Sequence, residues 1–124
     1  SAWPRRTRSG RRPMTGVAAV DVQQAHDLIE AGEAVLVDVR EPDEFAAARI
    51  EGAILAPLSR MPQAWLGLDL PADKTVIVMC RVGGRSGRVC EAFGPEGPDG
   101  QAVVNMDGGI LDWQAAGLPV ITEG

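Results

Sequence analysis

Apolar residues fall into two rhythms along this chain. Residues 34–39, 75–79 and 102–106 are nearly continuous apolar runs, the first broken by Asp38. Runs of this length suit parallel strands covered on both faces. Residues 18–20 and 53–56 are shorter and predict short strands, the first at a sheet edge. Between these runs the spacing turns helical. Val22, Ala25, Leu28 and Ile29 share a face that stops at Gly32, and Asp21 with Gln24 forms a capping-box pattern ahead of them. Pro42, followed by Asp43 and Glu44, predicts a short helix ending near Arg49. Residues 59–66 predict a loose helix with Met61 and Trp65 inward. A helix from Gly87 to Phe93 places Val89, Cys90 and Phe93 inward. Ile110, Trp113 and Ala116 mark a last helical face, closed by Gly117 with Pro119 beyond it. Strands alternating with short helices predict an α/β fold, three layers with a central, mainly parallel sheet.

Binding sites in such sheets lie beyond the carboxyl ends of the strands. Asp38, Cys80 and Asp107 all fall at those ends. The dense glycine–proline turn at residues 94–100 enters its strand from the opposite side, away from the chemistry.

The stretch with the most chemistry is Cys80-Arg81-Val82-Gly83-Gly84-Arg85-Ser86. It joins a strand to a helix, so its cysteine sits among backbone N–H groups that no helical bond satisfies. Those groups, the helix N-terminus and two arginines favour the thiolate, the reactive form of cysteine. Gly83 and Gly84 permit the positive φ or close approach that such a nest requires.

Composition narrows the remaining options. A chain of 124 residues that is 45% hydrophobic predicts one domain with a single core. No apolar stretch approaches the length of a membrane span. Five of the 12 basic residues (Arg5, Arg6, Arg8, Arg11 and Arg12) crowd the start. Taking five from 12 leaves seven against 17 acids, a formal −10 for the rest of the chain. An acidic body argues against a nucleic-acid surface. Residues 1–15 are expected to be a flexible basic arm and residues 16–124 the domain. Met14 is the expected natural start, with residues 1–13 an added or upstream segment; no secretory signal is expected, because no apolar stretch follows these arginines. Two cysteines, Cys80 and Cys90, make no disulfide framework, and the single histidine, His26, reads as a surface or helix-flank residue. No metal-ligand spacing is present, so neither a metal nor another cofactor is expected.

Four stretches in order carry a family resemblance: Leu36-Val37-Asp38-Val39-Arg40-Glu41-Pro42-Asp43-Glu44-Phe45, Ile50-Glu51-Gly52-Ala53-Ile54, the Cys80 loop, and Gly108-Gly109-Ile110-Leu111-Asp112-Trp113. Over residues 20–120 the chain resembles a single-domain rhodanese. The resemblance implies a five-stranded, mainly parallel sheet between helices. It also implies a sulfurtransferase in which Cys80 becomes a persulfide, moving a sulfane sulfur from a donor such as thiosulfate to a thiophilic acceptor, cyanide or a thiol.

Within that reading Arg81, Val82, Gly83, Gly84, Arg85 and Ser86 form the substrate loop. Asp38 and Arg40 support it through strand-end contacts. Arg85 contacts the substrate sulfonate, as does Arg81 less firmly, although both could instead pair with acids of the body. Cys90 is expected to be a core residue. The expected partners are a small-molecule sulfur donor, a thiol or cyanide acceptor and a sulfur-carrier protein, with neither nucleic acid nor membrane, in the cytoplasm. Two positions depart from the family pattern. Arg49 stands where many members have histidine, which is expected to alter local packing only, and the turn at residues 94–100 is unlike the short one common there. The competing readings are a non-catalytic rhodanese-like binding module and a cysteine phosphatase or arsenate reductase. The latter loops hold five residues between cysteine and arginine; here four separate Cys80 from Arg85.

Overall fold

The computed structural model describes residues 18–94, 96–97 and 99–122, so the basic arm at residues 1–15 lies outside the described residues. Among the described residues seven strands and five α-helices follow one another, alternating except where β3 and β4 are consecutive. They are β1 (Ala19–Val20), α1 (Val22–Glu30), β2 (Ala34–Asp38), α2 (Pro42–Ala47), β3 (Ala48–Arg49), β4 (Ile54–Leu55), α3 (Gln63–Leu66), β5 (Thr75–Met79), α4 (Gly84–Phe93), β6 (Val103–Met106), α5 (Gly109–Ala115) and β7 (Ile121–Thr122). A five-stranded sheet has the order β1-β6-β5-β2-β4, with every neighbouring pair parallel.

Alternation along the central strands explains the three layers. Leu36, Ile77, Met79, Val104 and Met106 face one side, where they meet Ala25 of α1 and Ile110 and Trp113 of α5. Val37, Val76, Val78 and Val103 face the other, against Trp65 of α3 and Val89 and Cys90 of α4. Successive side chains of a strand point to opposite faces, so a run apolar at every position is what a two-sided sheet needs. The first helix begins as its sequence predicts. Asp21 accepts from the Gln24 N–H at 2.8 Å, and the Gln24 side chain accepts from the Asp21 N–H at 2.9 Å.

Four expectations are corrected. The helix expected to end near Arg49 stops at Ala47, because Ala48 and Arg49 pair antiparallel with Thr122 and Ile121 of β7. That partner is over 70 residues away and leaves no local signal. The single helix expected over residues 59–66 is split into a 3-10 turn, Leu58–Arg60, and α3. Pro62 disfavours a helical Met61, whose ψ is 148°. Helix α4 starts at Gly84, three residues before the expected Gly87. Ala116 is exposed: α5 has already ended at Ala115, and the chain turns at Gly117, φ +79°.

His26 lies half-buried on the flank of α1, its ring edge-on to Trp113 at 5.6 Å. Arg49 lies over the Phe45 ring at 5.6 Å, a packing role. The turn before β6 is tied by Gln101 to the carbonyls of Leu70 and Pro71, which precede β5. It therefore occupies the amino end of the sheet. Among the described residues no helix is long and apolar enough to cross a membrane.

Candidate active site

β2, β5 and β6 are adjacent and parallel, so their carboxyl ends bring Asp38, Cys80 and Asp107 to one edge of the sheet. Cys80 follows β5 directly and is 0% exposed. The chain must then turn sharply to enter α4. Gly83 makes the turn with φ +107°, where any side chain is strained. There it packs against backbone, and a Cβ would lie 3.2 Å from the Gly108 nitrogen.

A second segment holds the loop from outside. The Ile110 and Leu111 N–H groups donate to the carbonyls of Cys80 and Arg81 at 2.9 and 3.1 Å. This grip requires Gly109 to lie against those carbonyls. Its φ is +60°, and a Cβ there would collide with both. With the carbonyls tied outward, the following N–H groups are left for the sulfur.

Those donors converge on it. The Gly83 N–H donates to Cys80 Sγ at 3.1 Å, the Ser86 N–H at 3.4 Å, and the Ser86 hydroxyl lies 3.4 Å away. Burial by itself would raise the thiol pKa. The Ser86 hydroxyl and the Ser86, Gly83 and Val82 N–H groups outweigh it, and the net shift is downward. Cys90 is the contrast. Buried on α4 without such donors, and near Glu91, it is pushed up to about 12. The loop thus favours the thiolate of Cys80, whereas burial disfavours that of Cys90.

The arginines separate in the structure. Arg85 pairs with Glu44 of α2 through two parallel bonds of 2.8 and 2.9 Å. The fork lowers the Glu44 carboxyl to about 2 against the opposing effect of burial, and Glu44 in turn raises Arg85. Arg81 is exposed, and Val82, 56% exposed, stands at the outer rim of the loop. Asp38 and Arg40 form a buried ion pair at 2.8 Å. Arg40 also donates to the carbonyls of Glu44 and Ala48. Among the described residues the side-chain hydrogen bonds of this pair to other residues run to α2 and Ala48, and its support of the loop is indirect: it anchors α2, whose Glu44 holds Arg85.

Sequence reasoning did not single out Glu44 or Asn105 for the site. Glu44 lies 41 residues from Arg85, with no local sign of the pairing. Asn105 left a fainter trace as the one polar residue inside an apolar strand. It is nearly buried and accepts from the Ser86 hydroxyl at 2.5 Å. Among the described residues no group of three or more His, Cys, Asp and Glu side chains could hold a metal ion.

Residues 21–116 match the rhodanese-like domain family. A protein of Allochromatium vinosum named sulfurtransferase is 33% identical over 94 residues, which span 76% of this chain and 84% of that protein. An uncharacterized protein of Synechocystis is 37% identical over 87 residues, 70% of this chain. There the match spans only 46% of the relative's own length. The crystal structure of a rhodanese-related protein from Thermoplasma volcanium superposes with a TM-score of 0.73 at 29% identity, covering 86% of this chain and 99% of that one.

Proposed function

The chain belongs to the rhodanese-like domain family, and from that premise we propose that it is a sulfurtransferase whose Cys80 carries sulfur as a persulfide. One observation carries the reading: the Gly83 and Ser86 donors converge on the Cys80 sulfur, and Cys90, without them, is left a thiol. The name of the Allochromatium relative supports the same class of reaction.

With thiosulfate as donor, the Cys80 thiolate attacks the outer sulfur. An S–S bond forms to Cys80, the bond between the two donor sulfurs breaks, and sulfite leaves with its electron pair. In the second half, cyanide or a thiolate attacks the sulfane sulfur and the Cys80 thiolate is the leaving group. Neither displacement needs a proton, which suits a site with no histidine near the sulfur. Arg81, exposed beside the loop, and Arg85, reoriented from Glu44, are the cations assigned to the sulfonate oxygens. The loop N–H groups then serve the persulfide anion as they serve the thiolate. A sulfur-carrier protein as acceptor and a cytoplasmic setting, where thiols stay reduced, belong to the same proposal.

A single observation favours a binding module instead: Cys80 is 0% exposed, which restricts a donor's access to the sulfur. Intact mass after thiosulfate treatment separates the two readings. The transferase gains one sulfur, about 32 Da, on Cys80 and loses it to cyanide as thiocyanate. No gain from thiosulfate or from persulfide donors, in folded protein with a free Cys80 thiol, would leave only the binding module.

A further inference from the structure

The Ser86 hydroxyl has one proton and three acceptors within reach: Asn105 Oδ1 at 2.5 Å, the Gly83 carbonyl at 3.2 Å and Cys80 Sγ at 3.4 Å. The Asn105 amide is fixed in orientation. Its Nδ2 donates to the Gly83 carbonyl at 3.2 Å and to the Asp107 carboxylate at 3.3 Å, so the oxygen must face Ser86. Asn105 is also placed from below. It lies on β6 in register with Val78 of β5, two residues before Cys80, on the face of the sheet covered by α4.

We propose that Asn105 is a positioning residue that anchors the Ser86 hydroxyl and competes with the Cys80 sulfur for its single proton. This rests on the reading of Cys80 as the sulfur carrier only for its consequence in transfer; the competition itself is a matter of hydrogen bonding. With Cys80 as a thiol, the hydroxyl donates to Asn105, and the S–H can turn to Ser86 Oγ. When the thiol loses its proton to solvent, the sulfur becomes the better acceptor. The hydroxyl turns to it and leaves Asn105 Oδ1 without that donor. The same turn recurs whenever the acceptor expels Cys80 as thiolate. Asn105 thus sets how readily the sulfur ionises and how well it leaves, without touching it.

Among the described residues, the charged groups facing this site are Arg85 of the loop, with Glu44 of α2 and Asp38 of β2 near its guanidinium, and Asp107 beyond Asn105, while Arg81 of the loop is exposed. Neutral substitutions at Ser86 and Asn105 remove none of these charges, though Asn105→Ala takes away the Nδ2 bond to Asp107.

The test is an ultraviolet thiolate titration of the whole protein. Cys90, at about 12, titrates outside the range. Ser86→Ala should raise the Cys80 midpoint by about one pH unit, the value of one hydrogen bond to a charged group. Asn105→Ala should lower it by about half a unit, since the hydroxyl is released to the sulfur. In the double variant the midpoint should equal that of Ser86→Ala. A merely structural Asn105 would loosen the donors and move the midpoint upward. That upward shift, or an Asn105→Ala effect undiminished without Ser86, overturns the proposal. Should Asn105→Ala not fold, Asn105→Asp keeps the shape with a stronger acceptor toward Ser86; it also loses the Nδ2 donor to the Gly83 carbonyl and Asp107, a change that is the same with and without the Ser86 hydroxyl. It must raise the midpoint more with Ser86 present than in Ser86→Ala, and equal shifts overturn the proposal. If the titrations behave as expected but thiosulfate and persulfide donors add no sulfur, the transferase reading fails while this one stands.

Discussion

Replacing Glu44 by glutamine removes one half of the fork that ties α2 to the Cys80 loop. The substitution is narrow. Glu44 Oε1 also accepts from the Glu41 N–H at 2.9 Å in a capping box, a role that glutamine retains. Only the second bond to Arg85 is lost, since the new amide nitrogen would face the donor Nη2. Glu44 is held at about 2 against 4.5 for a free carboxyl, which at full value corresponds to about 3 kcal/mol. The Arg85 and Glu44 side chains are 34% and 27% exposed, so solvent screening reduces this to about 1–2 kcal/mol. A carboxyl whose folded pKa is depressed stabilises the protein above its unfolded value and loses that contribution as the pH falls through the folded one. The wild type should therefore exceed Glu44→Gln by about 1–2 kcal/mol at pH 7. The gap should start to close below 4.5 and fall to less than half by about pH 3. Urea unfolding of both proteins across this range measures it. A gap that is constant from neutral to acid pH would show that the Arg85 pair contributes nothing and that glutamine acts by other means.

Three further outcomes test the site. Arg85→Ala should raise the KM for thiosulfate several-fold with a smaller change in kcat, and an unchanged KM in steady-state cyanolysis would remove Arg85 from substrate binding. Gly109→Ala drives a methyl group into the carbonyls of Cys80 and Arg81. It should cost about 2 kcal/mol or more, lowering the Tm by about 10 °C, and a Tm within a degree of wild type would refute the clamp. Iodoacetamide at neutral pH should label Cys80 and spare Cys90, as read by peptide mass. Faster labelling of Cys90 would reverse the contrast drawn between the two thiols.

Much of this molecule is legible one residue at a time. The apolar runs at residues 34–39, 75–79 and 102–106 became the three central strands because a strand buried on both faces must be apolar at nearly every position. The capping box at Asp21, the turn at Gly32 and the cysteine between a strand and a glycine pair are local signals, and each lies where local geometry put it. The reactive loop was readable for the same reason: its donors come from its own backbone, within six residues of the sulfur.

Other features depended on packing between distant segments. β3 exists only because β7 returns beside it. Arg85 reads from sequence as a substrate ligand, with an acid of the body as the alternative partner; tertiary structure supplies that partner, because α2 carries Glu44 to it and is itself held by Arg40 on buried Asp38. Asn105 was visible as a polar residue in an apolar strand, but strand order, with β6 beside β5, decided that its amide would meet Ser86. The sequence alone determines which backbone groups surround the sulfur, because those bonds are local. Tertiary structure decides which side chains orient that loop, because their partners are brought together only when the sheet and its helices close around it.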